Sequence, residues 1–568
     1  MKPALFLLLL AWTVTSAAHA APSRSGLLAQ DGLALRAGSA VRTRFASAVS
    51  RDSPHPSQPN NHPTPLTLQR GNGPEPSTLD AHRCPEVACG NILRDLYEGL
   101  VAEDARGRLI PGMAERWQVS TDGRVWTFHL RESLRWSNGE ALTAGHIVAS
   151  FRRAFSPATA APFAVHFDAV DNAALVQRGK LPPERLGISA PDPRTIVFRL
   201  SRSAALPQLL LLPIGYPVYL PALREFGPQH TRPGHLVSNG AYRLRAWTPQ
   251  ASLTLERNNR YRDRAPIGRI NFLVTEDAAS ELQRFQAGDL HITETVPPQA
   301  LPQLRKRFGT QLRISPYLGT MWLGLNLTRP PLRGNVALRE ALSLAVDRDK
   351  LTRYITGLGE TPAYGVVPPG VADYRPALLP WAKATQVQRE RLARQRYQQA
   401  GYSQASPLQI ELRYNTSTPH RRMNLAIAAM WREVLGARVT LRNEEWKVFV
   451  GNRAQRVITQ AFRGGWIADV NDPRNFLANF ESGSVTNWSG VDDPQFDALL
   501  RAADNASSPE LRGRGLQRAE TRLLAQHAVI PIYFYTSKHL VRPEVEGFEA
   551  NALDHHASRF LRFGGVGR

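Results

Sequence analysis

The sequence predicts an α/β protein of more than one lobe, and three observations carry that expectation. At 568 residues, the chain has room for two or three domains of the usual ~100–200 residues. Strand-like alternation and helical 3.6-residue periodicity take turns from about residue 66 to the C-terminus. A helix also stops on glycine just before a strand pattern, as in "REVLGARVTL", which is the arrangement of a sheet with crossover helices.

In chain order, the first twenty residues combine Lys2, an apolar run from Ala4 to Trp12, and Ala18-His19-Ala20. That combination reads as a cleavable export signal, because the run is well short of the roughly 20 apolar residues that span a bilayer. Residues 21–65 are rich in Pro, Ser, Arg and Asn without periodicity, the composition of a disordered leader. From Leu66, "LTLQRGN" alternates as a strand, and "NILRDLYEGLV" sets Ile92, Leu93, Leu96, Tyr97 and Leu100 on one helical face. "VWTFHL" reads as a strand, Asn138-Gly139 as a turn, and Thr143 as the N-cap of the helix that follows. Residues 241–247 and 252–258 form a meander. "NVALREALSLAVDRDKLTRYI" reads as a single amphipathic helix with Leu338, Ala341, Leu342, Ala345 and Val346 inward. "RRMNLAIAAMWREVLGARVTLRNEEW" is a helix, a stop at Gly436 and a strand.

The formal charge of +22 raises nucleic-acid binding, and its makeup argues against it. Only seven of the 70 cationic residues are lysine, and the arginines are scattered through every element pattern instead of forming one tract. Two cysteines, Cys84 and Cys89, stand in "HRCPEVACGN". In an exported chain a small-loop disulfide is the favoured reading, because Pro85 supplies a turn and a lone C-x4-C is a poor zinc site.

Hydrolytic and nucleotide motifs are missing: there is no G-x-S-x-G, H-E-x-x-H, P-loop or G-x-G-x-x-G. The fifteen histidines are dispersed, and the adjacent pair His555-His556 reads as a surface pair. No catalytic residue, metal site or cofactor is expected, and an exported peptidase would need a nucleophile or ligand set that the sequence does not nominate. What stands out is "RGGWIADVNDP", where Asp469 lies among apolar residues and calls for a cationic partner.

Taken together, "TLQRGNGPEPSTLDAHR", "VWTFHLRESLRWSNGEALTAGHIVASFRR", "VSNGAYRLRAW", "LERNNRYRD", "ALSLAVDRDKL", "NEEWKVFVGNR" and "GWIADVNDPRNFL" resemble, in the same order, the periplasmic oligopeptide-binding proteins of peptide ABC importers. The resemblance runs from about Thr67 to the C-terminus. It implies a bilobal periplasmic-binding-protein fold with an extra third domain and a hinge. Lobe I would comprise 66–97, 220–318 and 541–568, the additional domain 98–219, and the second lobe 319–540. It also implies a monomeric carrier, not an enzyme, that holds an extended peptide and hands it to a membrane permease.

By the same resemblance, Asp469 accepts the peptide ammonium, and Arg463, Arg453 and His420 supply cations at the far end. Trp446 and Trp466 wall side-chain pockets, and Gly465 and Ile467 lie on the strand that pairs with the peptide. A murein tripeptide, haem or a metal chelate is the alternative ligand within that fold. Five positions carry departures from the family pattern. Gly319 and Ile467 replace a disulfide, Thr356 replaces a lysine, Glu86 stands one place from an expected acid, and His146 replaces an aspartate.

Overall fold

The computed structural model describes residues 67–371, 374–506 and 508–565. The expected export signal and leader lie outside them. No helix among the described residues is long and apolar enough to cross a membrane.

Three larger sheets, each with its own apolar core, make up the fold. In the first, Thr67–Gly71 pairs parallel with Arg269–Leu273, and the meander Ser252–Arg257 and Tyr242–Thr248 continues it antiparallel. Alternation explains the packing, since Leu253, Leu255, Ile270 and Phe272 point inward against Ile92, Leu93 and Leu96 of the helix Val87–Leu96. That helix ends before Tyr97, so Leu100 lies beyond it, in the second core. Cys84 and Cys89 form a disulfide at its start, with Cα atoms 5.9 Å apart. Closing so short a loop removes about 2 kcal/mol of chain entropy from the unfolded state. A Cys84→Ser/Cys89→Ser double variant is therefore expected to lose about that much in urea denaturation, and an unchanged midpoint would contradict the entropic account.

The second sheet is antiparallel, in the order Ala114–Val119, Val125–Leu130, Thr195–Arg199, Ile188–Asp192. The helix Ala144–Phe155 lays Ile147, Val148 and Phe151 over Phe128 and Phe198. His146, the departure noted above, occupies the third position of this helix and accepts the N–H of the N-cap Thr143 on Nδ1, 3.3 Å away. An imidazole thus performs the capping-box role of an acid.

The third sheet has six strands in the order Thr361–Pro362, Val529–Leu540, Leu312–Leu325, Ala461–Ile467, Gln409–Asn415, Arg438–Glu444. Gln409–Asn415 and Arg438–Glu444 are parallel, joined through the crossover helix Thr418–Leu435, which stops at Gly436 with φ 72°. The single helix expected over 335–355 is broken. It runs Val336–Leu344, and a second helical start follows at Arg348 because Asp347 turns out to cap Lys350 N–H. A π-turn, Leu351–Thr356, completes the segment.

Leu312–Leu325 and Val529–Leu540 are unusually long strands, 14 and 12 residues. Their upper halves lie in the third sheet, and their lower ends, Leu312 and Leu540, sit in a small core with Phe285, Leu290 and Leu304. Pairing between the two strands shifts register from Pro316 to Thr320.

Candidate functional site

Ala461–Ile467 positions the site. Its first two residues lie between strands, with Ala461 and Phe462 opposite Leu412 and Arg413. The neighbouring strand ends at Asn415, and the chain turns into the helix at Thr418. From Arg463 to Ile467 the strand is paired only with Leu312–Leu325, from Leu323 opposite Arg463 to Gly319 opposite Ile467. Among the described residues, one backbone edge of this stretch is therefore without a ladder partner. Gly464 allows the close approach of the other strand, since a Cβ there would lie 2.4 Å from Nε1 of Trp322. Arg463, Gly465 and Ile467 share the opposite face.

Asp469 follows the strand and lines a cavity of about 160 Å³ with Glu86, Phe163, Tyr317, Ile467 and Asp554. Its side chain is 34% exposed, and the group facing it is His166 of the Pro162–Phe167 turn, 3.7 Å away. Asn475 braces the turn, because its Oδ1 accepts from Trp466 Nε1 at 2.8 Å and from Asp469 N–H at 3.4 Å. Burial pushes the Asp469 carboxyl above the usual range, with His166 and Asn475 pulling the other way. Glu86 lies in the same wall, but its carboxylate is already engaged by Ser77 N–H and Oγ, at 2.8 and 2.9 Å.

The cations form a second group. Arg453 is 5% exposed and stacks its guanidinium 3.4 Å from the ring centre of Trp488. Arg463 donates to Tyr535 Oη at 3.3 Å. Burial and the charge of Arg463 lower Arg453 to about 10 and hold His420 neutral, at about 4. Neither arginine has an acidic partner among the described residues, and Arg453 Nε, Arg463 Nε and His420 Nδ1 accept or donate no hydrogen bond. A buried and a half-buried guanidinium without an acidic partner leave this end of the strand positively charged and able to accept an anion.

Trp466 packs at a tilt 6.5 Å from Trp488 and so touches the cation group. Trp446 reaches the cation group only through Phe449, whose ring also lies under the Arg453 guanidinium, 5.2 Å away. The strand stops at Glu444, and Trp446 opens a helix, 50% exposed, with Phe449 of the same helix its ring neighbour. Thr356 ends the π-turn with its hydroxyl on the Thr352 carbonyl, 3.1 Å away. Gly319 and Ile467 are cross-strand neighbours, with 3.1 Å from a Cβ on Gly319 to Ile467 Cγ1. The His555-His556 pair is not on the surface as expected: His555 meets Glu103 at 2.7 Å and His556 meets Asp554 at 3.0 Å. Sequence reasoning missed His166, Asn475, Trp488 and Tyr535, which reach the site from four separate segments and carry no local signature.

An open strand edge between an acidic and a cationic end, flanked by separately cored lobes, defines a solute-binding protein. The chain belongs to the bacterial extracellular solute-binding proteins of family 5, whose middle region matches residues 108–488. It is 35% identical over 494 residues to the periplasmic oligopeptide-binding protein OppA of Salmonella typhimurium, covering 85% of this chain and 89% of that one. Among solved structures it is similar to the unliganded open form of the murein tripeptide-binding protein MppA, with TM-score 0.81, 31% identity, and 88% and 97% of the two chains covered. It is also similar to Haemophilus influenzae OppA in complex with the peptide RPPGFSPFR, with TM-score 0.69, 31% identity, and 88% and 98% covered.

Proposed function

We propose that this protein is exported, captures short peptides in extended form between its lobes, and delivers them to the permease of an ABC importer. The observation that carries the reading is the open edge of Arg463–Ile467 with Asp469 at one end and, at the other, the Arg463 and Arg453 guanidiniums beside a neutral His420. A peptide added as a strand satisfies its main chain on that edge, its ammonium on Asp469 and its carboxylate on the cations. The strand from Arg463 to Ile467 rises about 13 Å at ~3.3 Å per residue, the reach of a tri- or tetrapeptide. Trp466 bounds a side-chain pocket, and roomy, water-filled pockets tolerate varied side chains.

Lobe boundaries near residues 97, 219, 318 and 540 follow from the same reading. The register shift from Pro316 to Thr320 in the two long strands serves as the hinge. No chemical turnover is assigned, and the protein acts as a monomer.

Mass spectrometry of ligand released by denaturing the purified protein tests this. A ladder of mixed short peptides is expected, with compaction in small-angle scattering when peptide is returned. A single muropeptide would replace the reading with murein tripeptide capture, which the likeness to MppA favours as the second choice. A haem band or a metal chelate would overturn the peptide assignment.

A further inference from the structure

Beside the ligand cleft, His539, Asp554 and His556 bring three ligand atoms within 4.8 Å of one another. His539 lies near the end of the long strand Val529–Leu540, while Asp554 and His556 come from the C-terminal segment that crosses beneath it. We propose that this triad is a binding site for one divalent transition-metal ion of the zinc class.

The orientation of the rings is the first argument. His539 Nδ1 lies 2.9 Å from the Thr293 carbonyl oxygen, so Nδ1 carries a hydrogen and Nε2 faces Asp554, 2.8 and 3.0 Å from its two oxygens. His556 Nε2 converges on the same oxygen, Oδ1, at 3.0 Å. A ligating imidazole characteristically donates its other N–H to a backbone carbonyl, as His539 does. The two rings stand 5.4 Å apart at 80°, so their nitrogens aim at a common point instead of stacking. Metal–nitrogen bonds of about 2.0–2.1 Å place tetrahedral ligand atoms roughly 3.3 Å apart, so the two nitrogen–oxygen spacings of 2.8 and 3.0 Å need to open by only a few tenths of an ångström.

The surroundings are built for it. Phe548 stacks on His556 at 3.8 Å and presents an edge to His539 at 5.3 Å, fixing both rotamers in an apolar shell. Asp554 is held at φ 60°, in the left-handed region that turns its carboxylate between the rings. Asp554 also lines the cleft cavity, which supplies an entry path and room for a fourth, exogenous ligand. Two imidazoles and one carboxylate select zinc, nickel, cobalt or copper over magnesium and calcium.

The test is calorimetric titration of the full chain, stripped with EDTA, with ZnCl2 alone in two buffers of different ionisation enthalpy. One equivalent is expected to bind, with proton release. His556→Gln and Asp554→Asn each weaken it by more than about tenfold, the scale on which even outer partners of a metal act, while His555→Gln does not. Thermal melts establish that the variants fold. Cobalt titration of the unaltered protein gives a reading that needs no variant: a visible absorption band of low-coordinate cobalt, abolished by zinc. Absence of saturable zinc binding, absence of that band, or affinity unchanged in both His556→Gln and Asp554→Asn would overturn the assignment.

Discussion

Asp469→Asn weakens binding of a free tripeptide by about 10- to 100-fold, or ~1.5–3 kcal/mol, the strength of a charge-assisted bond out of bulk water. The Asp469 carboxylate lines the cavity with its charge weakly met, since His166 stands 3.7 Å off, whereas Glu86 is held by Ser77 and Asp554 by His539. Amino-terminal acetylation of the peptide removes the same contact from the other side, so it weakens binding to the unaltered protein and has little further effect in Asp469→Asn. The sign of the pH dependence follows. Burial raises the Asp469 carboxyl in the empty cleft, whereas a bound ammonium lowers it, so the bound form releases a proton. Affinity is therefore full above the raised carboxyl value and falls as pH drops through it, and Asp469→Asn removes that component. Calorimetry with free and acetylated peptides at several pH values checks all three statements, and equal affinity for the two peptides sinks the assignment.

Arg348→Met destabilises the third-sheet lobe by about 3–5 kcal/mol, the range for breaking a buried charged network by removing one member. Arg348 is 0% exposed, and among the described residues no acid forms an ion pair with it, Asp347 and Asp349 acting only at longer range. Instead its guanidinium donates to the carbonyls of Ser343 and Val346, at the C-terminal end of the helix Val336–Leu344, and to those of Ala363 and Pro531. Tyr364 and Trp381 lie 5.1 Å from it on their faces. Burial lowers its pKa to about 9, yet at neutral pH the charge is kept, because four carbonyl dipoles point at it. Lysine does not substitute, since one ammonium cannot reach donors spread across a planar fork. Urea denaturation followed by tryptophan fluorescence reads the loss, and a Lys variant as stable as the parent would contradict this account.

Much of this architecture was legible locally. The strand at 67–71, the meander at 242–257, the Thr143 cap and the Gly436 stop follow from side-chain period and cap chemistry, which act within a few residues. The broken helix after Leu344 was not legible, because apolar spacing continues through Ala345 and Val346 while Arg348 takes its partners from the sequence-distant Ala363 and Pro531. His555-His556 misled for the same reason: adjacency in sequence says nothing about the strand and loop that cover the pair.

By itself the sequence determined which segments become strands and helices, and it marked Asp469 as a carboxylate in need of a cation. Only the tertiary structure decided what surrounds that carboxylate. His166, Asn475, Trp488 and Tyr535 come from segments up to 369 positions apart, and the open edge of Arg463–Ile467 exists because a neighbouring strand stops at Asn415. Period and capping are short-range and written in composition, whereas a site is made where chain segments with no local reason to meet are brought together by the burial of their separate cores.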